Sequence, residues 1–218
     1  FVQEAAYEEV EVRPFSKIEP HNYSHIPSDK LYFYTETIVP TSRIKSLIFY
    51  GFKKSCHDRY KFDSKAEKDF ATILESETSK DVLRWLRPSP SQFKIYWGHE
   101  SREYRPDFVV ETMDKIYMVE VKAEDETDDK EVLEKAIAGI AYCDTCNKYG
   151  EQNHSKGWNY LLIPHTAINL NRSFDLLADR YALTREMIEA KRVRVSHAAD
   201  SEQPHLIDDD LWDTEMAV

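Results

Sequence analysis

Cysteine is scarce in this chain, which has only Cys56, Cys143 and Cys146 among its 218 residues. So few cysteines exclude a disulfide scaffold and predict a protein of a reducing cytoplasm. Cys143 and Cys146 have the spacing of a zinc-ligand pair, and His154 follows them. There is no second such pair and the segment has a helical pattern, so we favour packed structural thiols over a zinc module.

Long apolar runs are also missing. No segment approaches the roughly 20 apolar residues that a membrane-spanning helix requires, so we expect no membrane partner. The first residues, 1–11, are acidic and lack the basic flank and apolar stretch of a signal peptide. The chain begins with Phe1 and not with Met, and we expect it to be a fragment of a longer protein.

Basic residues are too few for an unspecialised nucleic-acid binder, which is normally basic. The chain has 29 Lys and Arg against 40 Asp and Glu, a net charge of −11. Much of this excess lies in the final stretch 196–218, which has no Lys or Arg. Its acidic residues are Asp200, Glu202, Asp208, Asp209, Asp210, Asp213 and Glu215. We expect this tail to be solvated and poorly ordered, and the body before it is only mildly acidic.

The length and an apolar share of 41% are sufficient for a buried core of one domain with appendages, or of two small domains. We divide the chain into three segments. Residues 1–60 are interpreted as a connector to an upstream region, and 61–168 as the core. Residues 169–218 are interpreted as a C-terminal helical extension followed by the acidic tail.

Hydrophobic periodicity predicts an α/β protein whose core has the order helix, three strands, helix, strand. The predicted helices cover 64–76, 128–149 and 173–192, with a further helical turn at 82–86 before Pro88. The predicted core strands cover 93–97, 104–111, 116–122 and 158–163, and a strand at 31–39 precedes them. Asp63 or Ser64 is suited to cap the first helix.

The strand 116–122 carries two opposite charges on one face of an otherwise apolar segment. Alternation puts Glu120 and Lys122 on the face of Ile116 and Met118, opposite Tyr117, Val119 and Val121. Burying an unpaired charge is costly. A divalent cation would compensate Glu120, and a water or phosphate oxygen would compensate Lys122. The alternative is a surface salt bridge between the two, with Asp107 as an ordinary residue at the start of a strand.

Asp107 opens the preceding strand, and the two strands are close enough in sequence to form a hairpin. A turn centred between Met113 and Asp114 would place Asp107 directly opposite Glu120, with Cβ atoms about 5 Å apart. Two carboxylates at that distance repel each other unless a divalent cation lies between them. Hard oxygen ligands favour Mg²⁺, which activates a bound water and stabilises charge on a scissile phosphate. Lys122 would orient that water or neutralise the phosphate charge.

Glu67 has two interpretations. On the first helix it lies on the flank of the apolar face, from which its carboxylate would reach a metal or a metal-bound water. Ser64 and Glu67 also have the spacing of a capping box, in which the glutamate bonds back to the backbone at the helix start. Spacing alone favours the cap.

Pro106-Asp107 and Glu120-Val121-Lys122, in this order of elements, resemble the signature of the PD-(D/E)XK nuclease superfamily. The closer resemblance is to the nuclease end of the type III restriction enzyme Res subunit and related helicase-nucleases. The supporting segments are 61–67, 85–88, 104–111 and 117–122. The resemblance extends over roughly residues 30–168.

This resemblance implies a restriction-endonuclease-like core, αβββαβ, with a mixed central sheet flanked by helices. It implies Asp107 and Glu120 as metal ligands, Lys122 as the catalytic lysine and Glu67 as the helix carboxylate of the site. The implied activity is Mg²⁺-dependent hydrolysis of DNA leaving a 5′-phosphate, with Mn²⁺ as a substitute. It further implies an upstream ATP-driven helicase or translocase, a methyltransferase partner and a prokaryotic cytoplasm. The chain has no GxxxxGK[ST] loop, so the P-loop route to ATP hydrolysis is excluded for this segment itself.

Three basic residues are candidate DNA contacts. Arg102 and Arg105 lie near Asp107 in sequence, although Arg105 is equally suited to pair with Glu103 or Glu111. Lys135 would face the site from the helix after the strand 116–122, but a solvated pair with Glu131, four residues earlier, is favoured. The alternative to an active nuclease is a catalytically inactive nuclease-like domain that binds DNA or docks within a helicase.

Overall fold

A computed structural model of the protein describes residues 27–89, 93–97 and 102–201, with side chains described as far as 195. Its helices are α1 (Lys65–Glu75), α2 (Lys130–Asn153), α3 (Phe174–Tyr181) and α4 (Arg185–Ser201). Its strands are β1 (Leu31–Phe33), β2 (Ile48–Tyr50), β3 (Arg59–Tyr60), β4 (Val82–Leu86), β5 (Ile95–Trp97), β6 (Arg102–Tyr104), β7 (Phe108–Thr112), β8 (Lys115–Lys122), β9 (Gly157–Pro164) and β10 (Ala182–Leu183). The protein is therefore a mixed α/β structure, as the periodicity predicted.

A five-stranded mixed sheet lies at the centre, in the order β10-β9-β8-β7-β4. β8 and β9 are parallel and are connected by α2, while the other neighbours are antiparallel. Two smaller sheets accompany it. One contains β1, β2 and β3, and the other is the hairpin of β5 and β6.

The two faces of the central sheet pack against different helices. Val119 and Val121 of β8 point into a core shared with α1 and α3, which also includes the β1–β3 sheet. Met118 points into a second core shared with α2, α4 and the β5–β6 hairpin. This arrangement confirms the alternation predicted along β8. The face that carries Glu120 is therefore the one that α2 and the hairpin cover.

The register of β7 and β8 is the predicted one. Phe108 pairs with Val119 and Glu111 pairs with Ile116, so the connection turns between Met113 and Asp114. Since side chains alternate with every residue, a slip of one position would have put Glu120 in the other core. The hydrophobic pattern of both strands opposes such a slip.

The predicted helical turn at 82–86 is wrong, because this segment is the edge strand β4. Its inner side pairs with β7. On its outer side Trp85 donates its backbone N–H to Lys54 O at 3.1 Å and accepts from Cys56 N–H at 2.8 Å. These backbone bonds on both sides, together with the burial of the Trp85 indole, override the local pattern.

The strands at 93–97 and 104–111 are also arranged differently from the prediction. The first is shorter, as β5, and among the described residues it pairs with β6 in the separate hairpin. The second is divided by a break at 105–107 that contains Pro106, a residue without a backbone donor. The antiparallel meander beside α1 therefore consists of β4, β7 and β8, and the β5–β6 hairpin is an insertion between its first two strands.

The single C-terminal helix predicted at 173–192 is wrong. The chain forms α3, then the short strand β10, then α4, because Ala182 and Leu183 pair with Leu161 and Tyr160 at the edge of the sheet. The acidic tail expected at 196–218 lies almost wholly outside the described residues. Within the described part of the chain, no helix is long and apolar enough to cross a membrane.

Candidate functional site

Asp107 lies in the break before β7 and reaches across to β8. Its Oδ2 accepts the backbone N–H of Val121 at 2.9 Å, which fixes the carboxylate beside the segment that carries Glu120. The Phe108–Val119 pair is the adjacent rung of the ladder, so Asp107 and Glu120 lie at the same end of the hairpin. The structure thus brings these two predicted residues together.

Glu120 is a buried carboxylate, with 5% of its surface exposed. Its Oε1 lies 2.9 Å from Lys122 Nζ, and its Oε2 accepts the hydroxyl of Tyr104 at 3.0 Å. Burial raises the pKa of Glu120 to about 7, with a further upward contribution from the charge of Asp107. Lys122 and Tyr104 act in the opposite direction, because both stabilise the ionised form.

Lys122 ends β8 on the same face as Glu120. Burial alone would lower the pKa of Lys122, but the charge of Glu120, its hydrogen bond and the charge of Asp107 raise it above its ordinary value. The ammonium group is therefore protonated at neutral pH and remains partly open to solvent, with 25% of its side chain exposed. This is the protonation state required to donate to a water or a phosphate oxygen.

Glu67 both caps α1 and joins the edge of the site. Ser64 Oγ accepts the backbone N–H of Glu67 at 3.1 Å, and Glu67 Oε2 accepts the backbone N–H of Asp63 at 2.9 Å. The glutamate thus reaches back to the residue before the cap rather than to Ser64 itself. The same Oε2 lies 2.9 Å from an Nη atom of Arg87, so the cap and a charged contact coexist.

Arg87 lies at the centre of a group of three carboxylates, those of Asp63, Glu67 and Asp107. Nη2 lies 2.7 Å from Asp63 and 2.9 Å from Glu67, while Nη1 lies 3.7 Å from Asp107. Its guanidinium also lies over the rings of Phe62 and Phe108. Arg87 is 7% exposed. Its positive charge therefore stabilises these carboxylates at a place where water has little access to solvate them.

Trp97 of the β5–β6 hairpin is flanked by two cations. The Arg102 guanidinium and Lys135 Nζ each lie 5.2 Å from the ring centroid. Lys135 Nζ also lies 2.6 Å from Glu131 Oε1, which is the ion pair that the sequence favoured. Lys135 therefore pairs with Glu131 and at the same time lies beside the hairpin. Lys135 lowers the pKa of Glu131, and Arg102 and Lys122 contribute, which puts all three cations around one exposed acid.

Arg105 lies half-buried in the break before β7. Burial lowers the pKa of Arg105 and the positive charge of Arg87 adds to this, whereas Asp107 raises it. The two partners that the sequence suggested for Arg105 form ion pairs with other residues. Glu103 pairs with Lys94, and Glu111 pairs with Arg84 and Lys156. Arg105 therefore belongs to the electrostatic surroundings of the site.

The donor set at the end of β7 and β8 fits one Mg²⁺ ion held by two carboxylates. Across the described ranges, no three His, Cys, Asp or Glu side chains converge as a metal-holding group. Mg²⁺ does not require three, because it usually binds through one or two carboxylates and keeps several waters. Asp107 and Glu120 supply two hard oxygen donors whose mutual repulsion a cation would relieve, whereas Glu67 is engaged by Arg87.

Cys143 and Cys146 lie one helical turn apart on α2. Both are buried on α2, and burial raises the pKa of each thiol, that of Cys146 to about 11. In the portion of the chain that the structure describes, they belong to no group of three or more His, Cys, Asp or Glu side chains that could hold a metal ion. His154 terminates α2 in a left-handed backbone conformation and its N–H bonds back to Gly150 O, a C-capping geometry.

Sequence reasoning missed Arg87 and Tyr104, which contact carboxylates of the site, and Tyr160, whose hydroxyl lies 3.3 Å from that of Tyr104. Arg87 and Tyr104 both lie in segments that support the resemblance, 85–88 and 104–111, but the sequence assigns neither residue a role in the site. Arg87 lies between Trp85-Leu86 and Pro88, and an arginine directly after such apolar residues is a signal of a paired internal charge, since arginine is rarely buried alone. The two tyrosines gave no comparable signal, because their contact depends on the fold of the hairpin.

Comparison of the chain with protein-family models, with curated proteins and with solved structures finds no match.

Proposed function

We propose that this protein is a metal-dependent DNA endonuclease with a restriction-endonuclease-like core. The order α1, β4, β7, β8, α2, β9 supports an αβββαβ core, with the β5–β6 hairpin inserted after its first strand. The single observation that carries the proposal is the grouping of Asp107, Glu120 and Lys122 at one end of the β7–β8 hairpin.

Asp107 and Glu120 would hold the Mg²⁺ ion, for which Mn²⁺ would substitute. When bound, the ion supplies charge stabilisation on the scissile phosphate and a more acidic water. Lys122 donates from a protonated ammonium group to the attacking water or to a phosphate oxygen, and Glu120 keeps it in place at 2.9 Å. Glu67 contributes through Arg87, which faces Asp107 from the other side. Hydrolysis would leave a 5′-phosphate.

The substrate proposal rests on the cations near this group. Arg102 and Lys135 flank Trp97 of the hairpin, and Arg105 lies in the break before β7, beside Asp107. Contacts of Lys and Arg with phosphates supply most of the sequence-independent affinity for DNA. These three residues are therefore the proposed contacts to the DNA backbone.

The wider setting is proposed from the resemblance alone. The segments noted above suggest the nuclease module of a type III restriction Res subunit or a related helicase-nuclease of a prokaryotic cytoplasm. In that setting an ATP-dependent translocase precedes this segment in the same polypeptide, and a modification methyltransferase is a partner subunit. DNA would then be held largely by those parts, which accords with the acidic balance of this chain.

A second candidate is a catalytically inactive nuclease-like domain that binds DNA or docks within a helicase. One observation favours it: the guanidinium of Arg87 already compensates Glu67 and faces Asp107, as a cation would. The two candidates differ in whether Asp107 and Glu120 take up a divalent ion.

Calorimetry with Mn²⁺ on the wild type, Asp107→Asn and Asp114→Asn distinguishes them. Asp114 is exposed in the turn at the far end of the same hairpin and is the matched control. We expect one bound ion, at least about tenfold weaker binding in Asp107→Asn, since even outer-shell changes cost that much, and no change in Asp114→Asn. Equal binding by all three proteins would favour the docking domain.

Cleavage of plasmid DNA is the second measurement. We expect Lys122→Ala to lose cleavage even at Mn²⁺ concentrations that saturate its ion site, because the lysine donates to the reacting oxygen atoms in addition to holding Glu120. Cleavage by Lys122→Ala at the wild-type rate, once its ion site is saturated with Mn²⁺, would contradict the role assigned to the lysine.

A further inference from the structure

Two buried tyrosines form a chain of hydrogen bonds that ends on Glu120. The hydroxyl of Tyr104 lies 3.0 Å from Glu120 Oε2, and the hydroxyl of Tyr160 lies 3.3 Å from that of Tyr104. Both residues are buried, with 5% and 1% of their surfaces exposed. They come from different elements, since Tyr104 ends β6 and Tyr160 lies in the middle of β9.

The direction of the chain follows from the number of protons. The ionised carboxylate of Glu120 only accepts, so the single proton of the Tyr104 hydroxyl is donated to it. Tyr104 then has only lone pairs for Tyr160, which must donate. Lys122 donates to the other oxygen of the same carboxylate. Glu120 is therefore held from both oxygens, by the lysine on one side and by the tyrosine pair on the other.

The surrounding elements hold the two rings in place. The hairpin that carries Tyr104 packs on α2 in the same core as Met118 and Tyr160. Gly139 of α2 leaves room for the Tyr160 ring, because a methyl group on that glycine would lie 2.5 Å from Tyr160 Cε2. A larger residue at 139 would displace the Tyr160 ring, at which the series of hydrogen bonds to Glu120 begins.

We propose that Tyr104 is a positioning residue for Glu120, with Tyr160 holding Tyr104 in turn. This inference rests on the proposed function, because it concerns the ion that Glu120 and Asp107 would bind. A donor on one oxygen fixes the rotation of the carboxylate and leaves its other lone pairs in a defined direction. Donors of this kind around ligating carboxylates affect metal affinity strongly.

The test compares Tyr104→Phe, Tyr160→Phe and Tyr142→Phe with the wild type in calorimetric titrations with Mn²⁺. Each variant removes one hydroxyl and keeps the ring, and Tyr142 is the matched control because it packs in the same core without contacting Glu120. We expect the affinity to fall by about tenfold in Tyr104→Phe, at the low end for outer-shell changes, by a smaller factor in Tyr160→Phe, and not at all in Tyr142→Phe.

Thermal melting without metal separates positioning from a purely structural role. The proposal requires that Tyr104→Phe loses Mn²⁺ affinity even where its melting temperature equals that of Tyr142→Phe. If Tyr104→Phe is too unstable to titrate, Tyr160→Phe takes its place, since it keeps Tyr104 and removes only the donor behind it. Unchanged affinity in the variant that is titrated would overturn the inference.

Asp107→Asn, measured in the same series, separates this inference from the proposed function. Weaker binding in Asp107→Asn with unchanged binding in Tyr104→Phe would leave the metal site standing and refute the positioning role. Absence of Mn²⁺ binding by the wild type would refute both.

Discussion

At the scale of single residues, Glu120 is held in a buried position that is costly for the protein when its carboxylate is ionised. Burial raises the pKa of Glu120 from 4.5 to about 7, so the folded protein binds a proton there more tightly than the unfolded chain does. The tighter proton binding by Glu120 contributes fully to the free energy of unfolding below pH 4.5. This contribution is lost as the pH rises from 4.5 to about 7. Above this range the buried charge remains.

We therefore expect Glu120→Gln to stabilise the metal-free protein, and to do so more at pH 8 than at pH 5. The upper limit at pH 8 is about 3 kcal/mol from the shift in pKa, reduced because Lys122 loses its charged partner. Urea unfolding with a chelator measures it, and Glu103→Gln on the exposed side of the hairpin is the control. An equal stability difference at both pH values would contradict the assigned cause.

The main residues of the site were predictable because their signals are local. Alternation along 116–122 puts Glu120 and Lys122 on one face, and the short turn before this strand sets the register that brings Asp107 to its end. The partners of these residues were not predictable in the same way. Arg87 and Tyr104 contact the site only because β4 and the β5–β6 hairpin fold back on it, and no pattern in either segment specifies that return.

At the scale of elements, Glu75 joins three segments through one carboxylate at the end of α1. Its oxygens accept the backbone N–H groups of Lys53 and Lys54, at 2.7 and 3.0 Å, and the indole N–H of Trp85 at 2.8 Å. These bonds fix the chain after β2 and the edge strand β4 against α1. Arg87 lies just beyond β4, so the position of β4 also determines the position of Arg87.

Glu75→Gln should destabilise the protein by about 3 kcal/mol, because bonds to a charged acceptor are strong and one buried donor loses its partner. Glu77→Gln, on an exposed residue two positions later, should stay within about 0.5 kcal/mol of the wild type. Urea midpoints of both variants test this. A similar, small effect of the two substitutions would show that the buried bonds of Glu75 do not stabilise this junction.

Two of the elements that were predicted incorrectly, β4 and β10, share one cause. The strand β4 has backbone bonds on both sides, and β10 interrupts a helical pattern only because the edge of β9 is available for pairing. Both depend on partners distant in sequence, whereas α1, α2, β8 and β9 have a periodicity that is visible within their own segments. Non-local pairing therefore separates the predictable part of this fold from the rest.

At the scale of the whole molecule, a net charge of −11 opposes DNA binding, while Arg102, Lys135 and Lys122 form a local cluster of cations around the exposed Glu131. Fields of distant exposed charges are screened beyond about 10 Å at 0.1 M salt. The cluster then acts largely on its own at the surface that a duplex would contact. Binding should accordingly be weak, dependent on salt and concentrated in a few contacts.

The double variant Arg102→Ala/Lys135→Ala tests this against Lys80→Ala/Lys148→Ala, which removes the same charge from exposed positions at the other end of the sheet. Fluorescence anisotropy with a short duplex in chelator gives the affinity at several salt concentrations. We expect the first variant to bind DNA more weakly. The slope of log affinity against log salt concentration is negative, and its magnitude should decrease by about 2, since each lost phosphate contact removes roughly 0.9 from it. The second variant should keep the slope of the wild type, because net charge alone does not set the number of phosphate contacts. Equal losses in both variants would mean that DNA responds to the total charge of the molecule and not to the cluster beside Lys122.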